Sequence, residues 1–281
     1  MFKVGDYPVT VEEYTYFYKN YQAAQAASGT SDVDAIHENA LLALRKKYAV
    51  KSEAERLGIS LTEEDEQAAQ ALYDEYVAQY GGADAFAAAL AARSMTDRYF
   101  RSALLANKLE EKVRSHELSY LSDIQADDAT VLADIPKNFI RASQILILHE
   151  AGDDLVANYE LAGSLAERAK NGEDFEALVR EYSEDTYMDA HDGYYFTRGE
   201  RLKEFEDAAW ALNEGEVSSV VKSEIGYHVI CRLPMEDTYI RSHMEELIRA
   251  YRARVFNERL ANIAASFDIQ YYDRFNDLNL A

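Results

Sequence analysis

The sequence predicts an α+β protein. A helical domain is built from both chain ends, and a smaller domain, helices on an antiparallel sheet, is inserted between them. Three observations predict this. Residues 10–120 keep a helical apolar period with no strand between helices. Seven of the 12 glycines lie between Pro136 and Pro234, which reads as a separate, loop-richer domain between two helix-breaking positions. The chain then returns to one long helix, too apolar on one face to stand alone in water. The expected divisions are 1–138, 139–236 and 237–281.

Each element has its own reason. Phe2 and Val4, a Gly5-Asp6 turn, then Tyr7 and Val9 read as a short hairpin. Thr10 opens a helix with Glu13 in capping-box spacing, and Tyr14, Phe17, Tyr18 and Tyr21 form its stripe. The spacing of Ile36, Leu41, Leu44 and Tyr48 predicts a helix over 32–57, with Gly58 at its C-cap. Thr62 with Asp65 opens the next, which Gly81-Gly82 ends. Ala83–Ala92 is a short helix, and Thr96 opens another carrying Tyr99, Leu104, Leu105, Leu109 and Val113.

After Pro136 the period becomes two. Ile140–Leu148 is a strand with Ile145 and Ile147 on one face and Gln144 and Leu146 on the other. An amphipathic helix over 155–170, a short one carrying Phe175 to Tyr182, a polar loop Ser183–Gly193 and a third helix around Phe205–Leu212 follow. Val217–Val221 and Tyr227–Leu233 close the segment as strands. Tyr239–Ser266 reads as one helix, expected to pack on the N-terminal helices. The alternating tail Phe267–Tyr271 is a strand that suits pairing with the opening hairpin.

Composition narrows the function. The 51 acidic and 29 basic side chains give a net charge of −22, which excludes a generic nucleic-acid binder and disfavours an anionic membrane surface. Residues 139–236 carry −12 of that charge. Cys231 is the one cysteine, so no intrachain disulfide forms. The longest apolar run, Ala85–Ala92, is far short of a membrane span. The first residues do not form a signal peptide.

No phosphate loop, nucleophile elbow, zinc helix or dinucleotide fingerprint is present. Asp185, Asp189, His191 and Asp192 lack regular ligand spacing, so no metal and no cofactor is expected. His228 within a strand reads locally as a buried, hydrogen-bonded core histidine, and Phe196 and Phe205 as core aromatics.

One set of blocks is more specific. It comprises Arg141–Ile147, Asp174-Phe175, Tyr182–Asp185, Phe196–Gly199, Glu204–Leu212, Gly215–Ser218 and Gly226–Ile230. In that order they resemble the parvulin-type peptidyl-prolyl isomerases. The flanking helices resemble those of extracytoplasmic foldases of the PrsA and SurA kind, in which both chain ends build a helical chaperone domain around an inserted parvulin domain.

The resemblance implies a foldase that binds unfolded client polypeptides and isomerises their X–Pro bonds without covalent or metal chemistry. It also implies an extracytoplasmic location, with a leader or lipid anchor expected outside this sequence. By position it assigns Asp185, His228, Gln144 and Ser223 to the catalytic set. Phe196, Arg201 and Phe205 go to the proline pocket. Gln144 stands where the family usually has its first histidine, and Arg201 where the pocket usually has methionine. These two departures define a second reading, a degenerate parvulin domain that only binds and holds clients.

Overall fold

The computed structural model describes residues 2–150, 152 and 154–272. The packing divides the described chain into two units, 2–123 with 255–272, and 124–254.

The first unit opens with β1 (Phe2–Val4) and β2 (Tyr7–Val9), the expected hairpin. Gly5 sits at φ +56, and a Cβ there would meet the Phe267 ring at 2.8 Å, so only glycine makes this turn. Helices α1 (Val11–Ala27), α2 (Val33–Leu57), α3 (Glu63–Gln79), α4 (Ala83–Ala91) and α5 (Asp97–Glu117) follow. Thr10, Asp32, Thr62 and Thr96 each accept a hydrogen bond from a first-turn backbone N–H, and Thr62 and Asp65 form the reciprocal capping box. Gly58, left-handed at φ 68, closes α2. Phe2, Val4, Tyr14, Ile36 and Leu44 form one core, while Tyr73, Phe86 and Leu90 form a second.

The second unit begins with α6 (Asp128–Asn138), then β3 (Phe139–Leu148), α7 (Leu155–Lys170), α8 (Phe175–Tyr182), β4 (Tyr194–Thr197), α9 (Lys203–Ala211), β5 (Val221–Lys222), β6 (Gly226–Leu233) and α10 (Asp237–Ser242). Its antiparallel sheet has the order β4-β3-β6-β5. Alternation along β3 sorts the side chains. Ile145 and Ile147 pack with Leu165, Leu178 and Val229 under α7 and α8. Ile140 and Ala142 face α9 with Phe196, Phe205 and Ile230.

Helix α11 (Met244–Ser266) leads back to the first unit, and β7 (Ile269–Tyr271) pairs antiparallel with β1, placing Phe2 opposite Tyr271 and Val4 opposite Ile269. The α+β class, with a helical part made by both chain ends around an inserted antiparallel-sheet domain, is what the sequence predicts. From α11, Arg259 reaches Glu53 and Asp123, each at 2.9 Å. Arg56 shares both carboxylates, and Glu53 and Glu117 are fully buried.

Four elements differ from expectation. Pro136 lies inside α6 rather than breaking a chain, because Asp127 caps that helix and Val131 and Ile135 bury one face. Strand β4 is new. Gly193 at φ +63 lets it close on β3, since a Cβ there would stand 2.7 Å from the Ala142 carbonyl oxygen. The strand expected at 217–221 reduces to the two residues of β5 and one bridge, Val217 to Cys231. The helix expected over 239–266 is broken at His243, whose ring stacks on Tyr239 at 3.8 Å and whose Nδ1 lies 3.0 Å from the Tyr239 carbonyl oxygen. Ahead of residue 255 its residues belong to the second unit, where Ile240 and Leu247 pack on Val131, Ile135 and Phe139.

Candidate functional site

On the α9 face of the sheet lies a cavity of about 290 Å³. Its floor follows from strand alternation: Gln144 and Leu146 project from β3 and His228 from β6, all on one face. Phe205 and Leu202 form the apolar wall from the start of α9, and Tyr194 projects from β4.

The loop after α8 brings in Asp185. Beyond the pairing with β4, the outer edge of β3 is free, and this loop takes it. The Leu146 N–H donates to Ser183 Oγ at 3.1 Å, and the Glu184 N–H to the Leu146 carbonyl at 2.9 Å. The loop is thereby zipped to the strand that carries Gln144.

One hydrogen-bond chain crosses the floor, and its direction follows from the donor inventory. The Asp185 carboxylate accepts, so the amide nitrogen of Gln144 faces it, Nε2 to Oδ2 at 2.6 Å. Gln144 Oε1 then faces His228 Nδ1 at 2.7 Å, so Nδ1 carries the proton. His228 Nε2 therefore accepts from Ser223 Oγ, 2.6 Å away. Every donor in the row Ser223, His228, Gln144 points towards Asp185. The Tyr194 hydroxyl adds a further donor to the same carboxylate at 2.8 Å, as does the Tyr187 N–H at 3.1 Å.

Electrostatics agree with that direction. Burial pushes the His228 imidazole down to about 4, so it is neutral near pH 7 and keeps one N–H. Burial, then the bond to Asp185, holds the Tyr194 hydroxyl protonated well above its ordinary range.

The loop 199–201 is organised by Glu206. Its buried carboxylate accepts the N–H groups of Gly199, Glu200 and Arg201, each at 2.8 Å. Arg201 is thus fixed at the cavity wall, with its guanidinium carbon 3.8 Å over the Tyr194 ring centre.

Of the seven residues singled out in the sequence, Asp185, His228, Gln144, Arg201 and Phe205 line the cavity. Ser223 stands behind His228 and reaches the cavity only through it. Phe196 does not line it. Fully buried, its ring packs 5.5 Å behind Phe205. The reason is pairing: Phe196 lies opposite Ile140 in the sheet, on the core side of α9. Tyr194 and the exposed Tyr187 were not singled out. Alternation with Phe196 is the signal that puts Tyr194 on the site's face. Asp189 and His191 go elsewhere: Asp189 accepts the N–H groups of His191 and Asp192, and His191 pairs with Glu176. Among the described residues no group of three His, Cys, Asp or Glu side chains is placed to hold a metal.

The antiparallel sheet in the order β4-β3-β6-β5, with its helices, is the fold expected of a parvulin-type rotamase domain. Residues 145–233 match the family model for the rotamase, PPIC-type PPIASE domain. The chain is 37% identical over 127 residues to foldase protein PrsA 1 of Bacillus cereus, covering 43% of this chain and 41% of that one. It is 30% identical over 208 residues to foldase protein PrsA 2 of Listeria monocytogenes, covering 72% and 64%. The solved parvulin NmPin of Nitrosopumilus maritimus is 40% identical, covering 35% of this chain and 99% of that one, with a TM-score of 0.29. The middle of this chain is a PPIC-type rotamase domain, and its homologues carry the name foldase protein PrsA. The match spans about two fifths of the length of the first of those curated relatives.

Proposed function

We propose that the chain is a foldase that isomerises X–Pro bonds in unfolded polypeptides. The observation that carries this is the Ser223–His228–Gln144–Asp185 row beside the Phe205 and Leu202 wall. An X–Pro amide resists rotation because conjugation keeps it planar, with a barrier of about 18–20 kcal/mol. That conjugation places partial negative charge on the carbonyl oxygen. A carboxylate held beside the oxygen disfavours the charge-separated form and so lowers the barrier to twisting. In this reading Phe205 and Leu202 grip the proline ring and exclude water, Asp185 supplies the field, and Gln144 and Tyr194 fix Asp185 in place. Ser223 and His228 fix Gln144 in turn. No bond to the protein forms, and neither metal nor cofactor takes part.

In the same reading residues 139–236 are the isomerase module, and 1–138 with 237–281 are the frame that holds unfolded clients. A foldase of this kind works outside the cytoplasm. Among the described residues no helix is long and apolar enough to cross a membrane.

A second reading is favoured by Arg201, whose charged head lies at the wall where the proline ring would pack. It makes the domain a binding scaffold without catalysis. Proline-limited refolding of a test protein separates the two. Acceleration proportional to the amount of added chain supports the isomerase. Suppressed aggregation with no acceleration supports the scaffold.

A further inference from the structure

The helical unit holds a cavity of about 850 Å³ between α1, α2, α3, α5 and the later turns of α11. Tyr16, Phe17, Tyr76, Tyr99 and Phe100 line it, meeting one another edge-on or tilted, as Tyr16 and Tyr99 do at 5.0 Å and Tyr76 and Phe100 at 5.4 Å. All but Tyr99 are only partly buried, so ring surface is left open to an occupant.

The charge of this wall runs against the rest of the chain. Four cations line it, Lys46, Lys47, Lys51 and Arg114, with one carboxylate, Glu110. The chain as a whole has 51 acids against 29 bases. Lys47 pairs with Glu13, and Arg114 lies 3.7 Å from Glu110. Lys46 and Lys51 have no carboxylate partner among the described residues, and the Lys51 ammonium lies 5.0 Å over the Tyr7 ring. Both lysines are exposed at the rim, where they attract carboxylates through a field that salt screens.

We propose that this cavity takes an extended polypeptide segment carrying carboxylates among apolar side chains, and that it rejects basic segments of the same hydrophobicity. The inference rests on the reading of the chain as a binder of unfolded polypeptide, and adds the place and the chemical class. Rings take the apolar side chains, and Lys46 and Lys51 take the carboxylates at the rim.

The test is fluorescence anisotropy of the full chain with two labelled, proline-free peptides of identical apolar residues, one interspersed with Asp and Glu, the other with Lys. The acidic peptide is expected to bind about tenfold tighter at low salt, with the gap narrowing as salt screens it. The double substitution Lys46→Glu, Lys51→Glu is expected to abolish or invert the preference. Lys203→Glu, the same type of charge change in the other unit, leaves it in place. Equal affinity for both peptides, lowered by Tyr16→Ala, overturns the charge preference and leaves client holding intact. An acidic preference that survives the double substitution overturns the location. Binding of neither peptide overturns both this inference and the holding function on which it rests.

Discussion

Gln144 Oε1 lies 2.7 Å from Nδ1 of His228, while its amide nitrogen lies 2.6 Å from Asp185. A neutral side chain therefore joins a neutral imidazole to a carboxylate, as donor on one side and acceptor on the other. In the proposed function it orients Asp185, since it cannot exchange charge near neutrality. Replacing it by alanine leaves the buried His228 N–H without an acceptor, at a cost of about 1–3 kcal/mol. Gln144→Ala is expected to lower the urea midpoint and to reduce isomerisation. Gln144→His restores a donor and acceptor and is expected to retain catalysis.

Because His228 is held neutral by burial with its value near 4, its protonation gives the activity profile no inflection between pH 6 and 8. The same shift makes stability depend on pH. The unfolded chain binds a proton to this imidazole below about 6.5, and the folded chain only below about 4. Stability is thus fully present above pH 6.5 and is lost as pH falls towards 4, by at most about 3 kcal/mol from this group. Denaturation at pH 7 and pH 5 compares wild type with His228→Gln, which is expected to lose most of that dependence.

Arg201 stacks on the Tyr194 ring that holds Asp185. If its charge at the wall limits proline binding, Arg201→Met raises kcat/KM by about three- to tenfold, roughly 1 kcal/mol of transition-state binding. Tyr194→Phe removes one donor from Asp185 and is expected to lower kcat more than it changes KM. Protease-coupled isomerisation of short X–Pro peptides measures both.

Arg259 closes the helical unit by reaching Glu53 and Asp123, whose carboxyl groups are both held below their ordinary range by Arg56 and Arg259 against the opposing effect of burial. Arg259→Met leaves buried Glu53 with half its partners and is expected to cost about 3 kcal/mol. Hydrogen exchange should report the loss first at β1 and β7, the strands that join the two chain ends. The stabilisation from both carboxylates is present above about pH 4.5 and falls away as pH drops through their lowered values.

Gly193 stands at φ +63 with backbone atoms of Ala142 where a Cβ would lie. Gly193→Ala is expected to destabilise the domain by roughly 2–3 kcal/mol and to displace β4, and with it Tyr194. Circular dichroism melts and the isomerisation assay should fall together.

Much of this was legible in the sequence where a local signal exists. Helices α1, α2, α3 and α5 carry both a stripe and a cap. The alternation in β3 put Gln144 and Leu146 on the site's face, and the tail strand found the opening hairpin. What was not legible either has too weak a local pattern or depends on contacts distant in sequence. Four residues of β4 carry too little pattern to stand apart from the loop before them. The break at His243 comes from a side chain bonding to backbone one turn earlier, inside an unbroken apolar period. Phe196 and Phe205 look alike in sequence, and only pairing of Phe196 with Ile140 decides that one lies behind the other. Tyr194 as a partner of Asp185 required β4 and the loop 183–185 together.

In the proposed function the row ending at Asp185 and the Phe205 wall together twist an X–Pro bond. Proline-limited refolding with catalytic amounts of the full chain tests it most directly. The expected result is a rate that rises in proportion to the chain added and is lost in both Gln144→Ala and Phe205→Ala, with each variant still folded. No acceleration at any concentration, alongside undiminished suppression of aggregation, would contradict it.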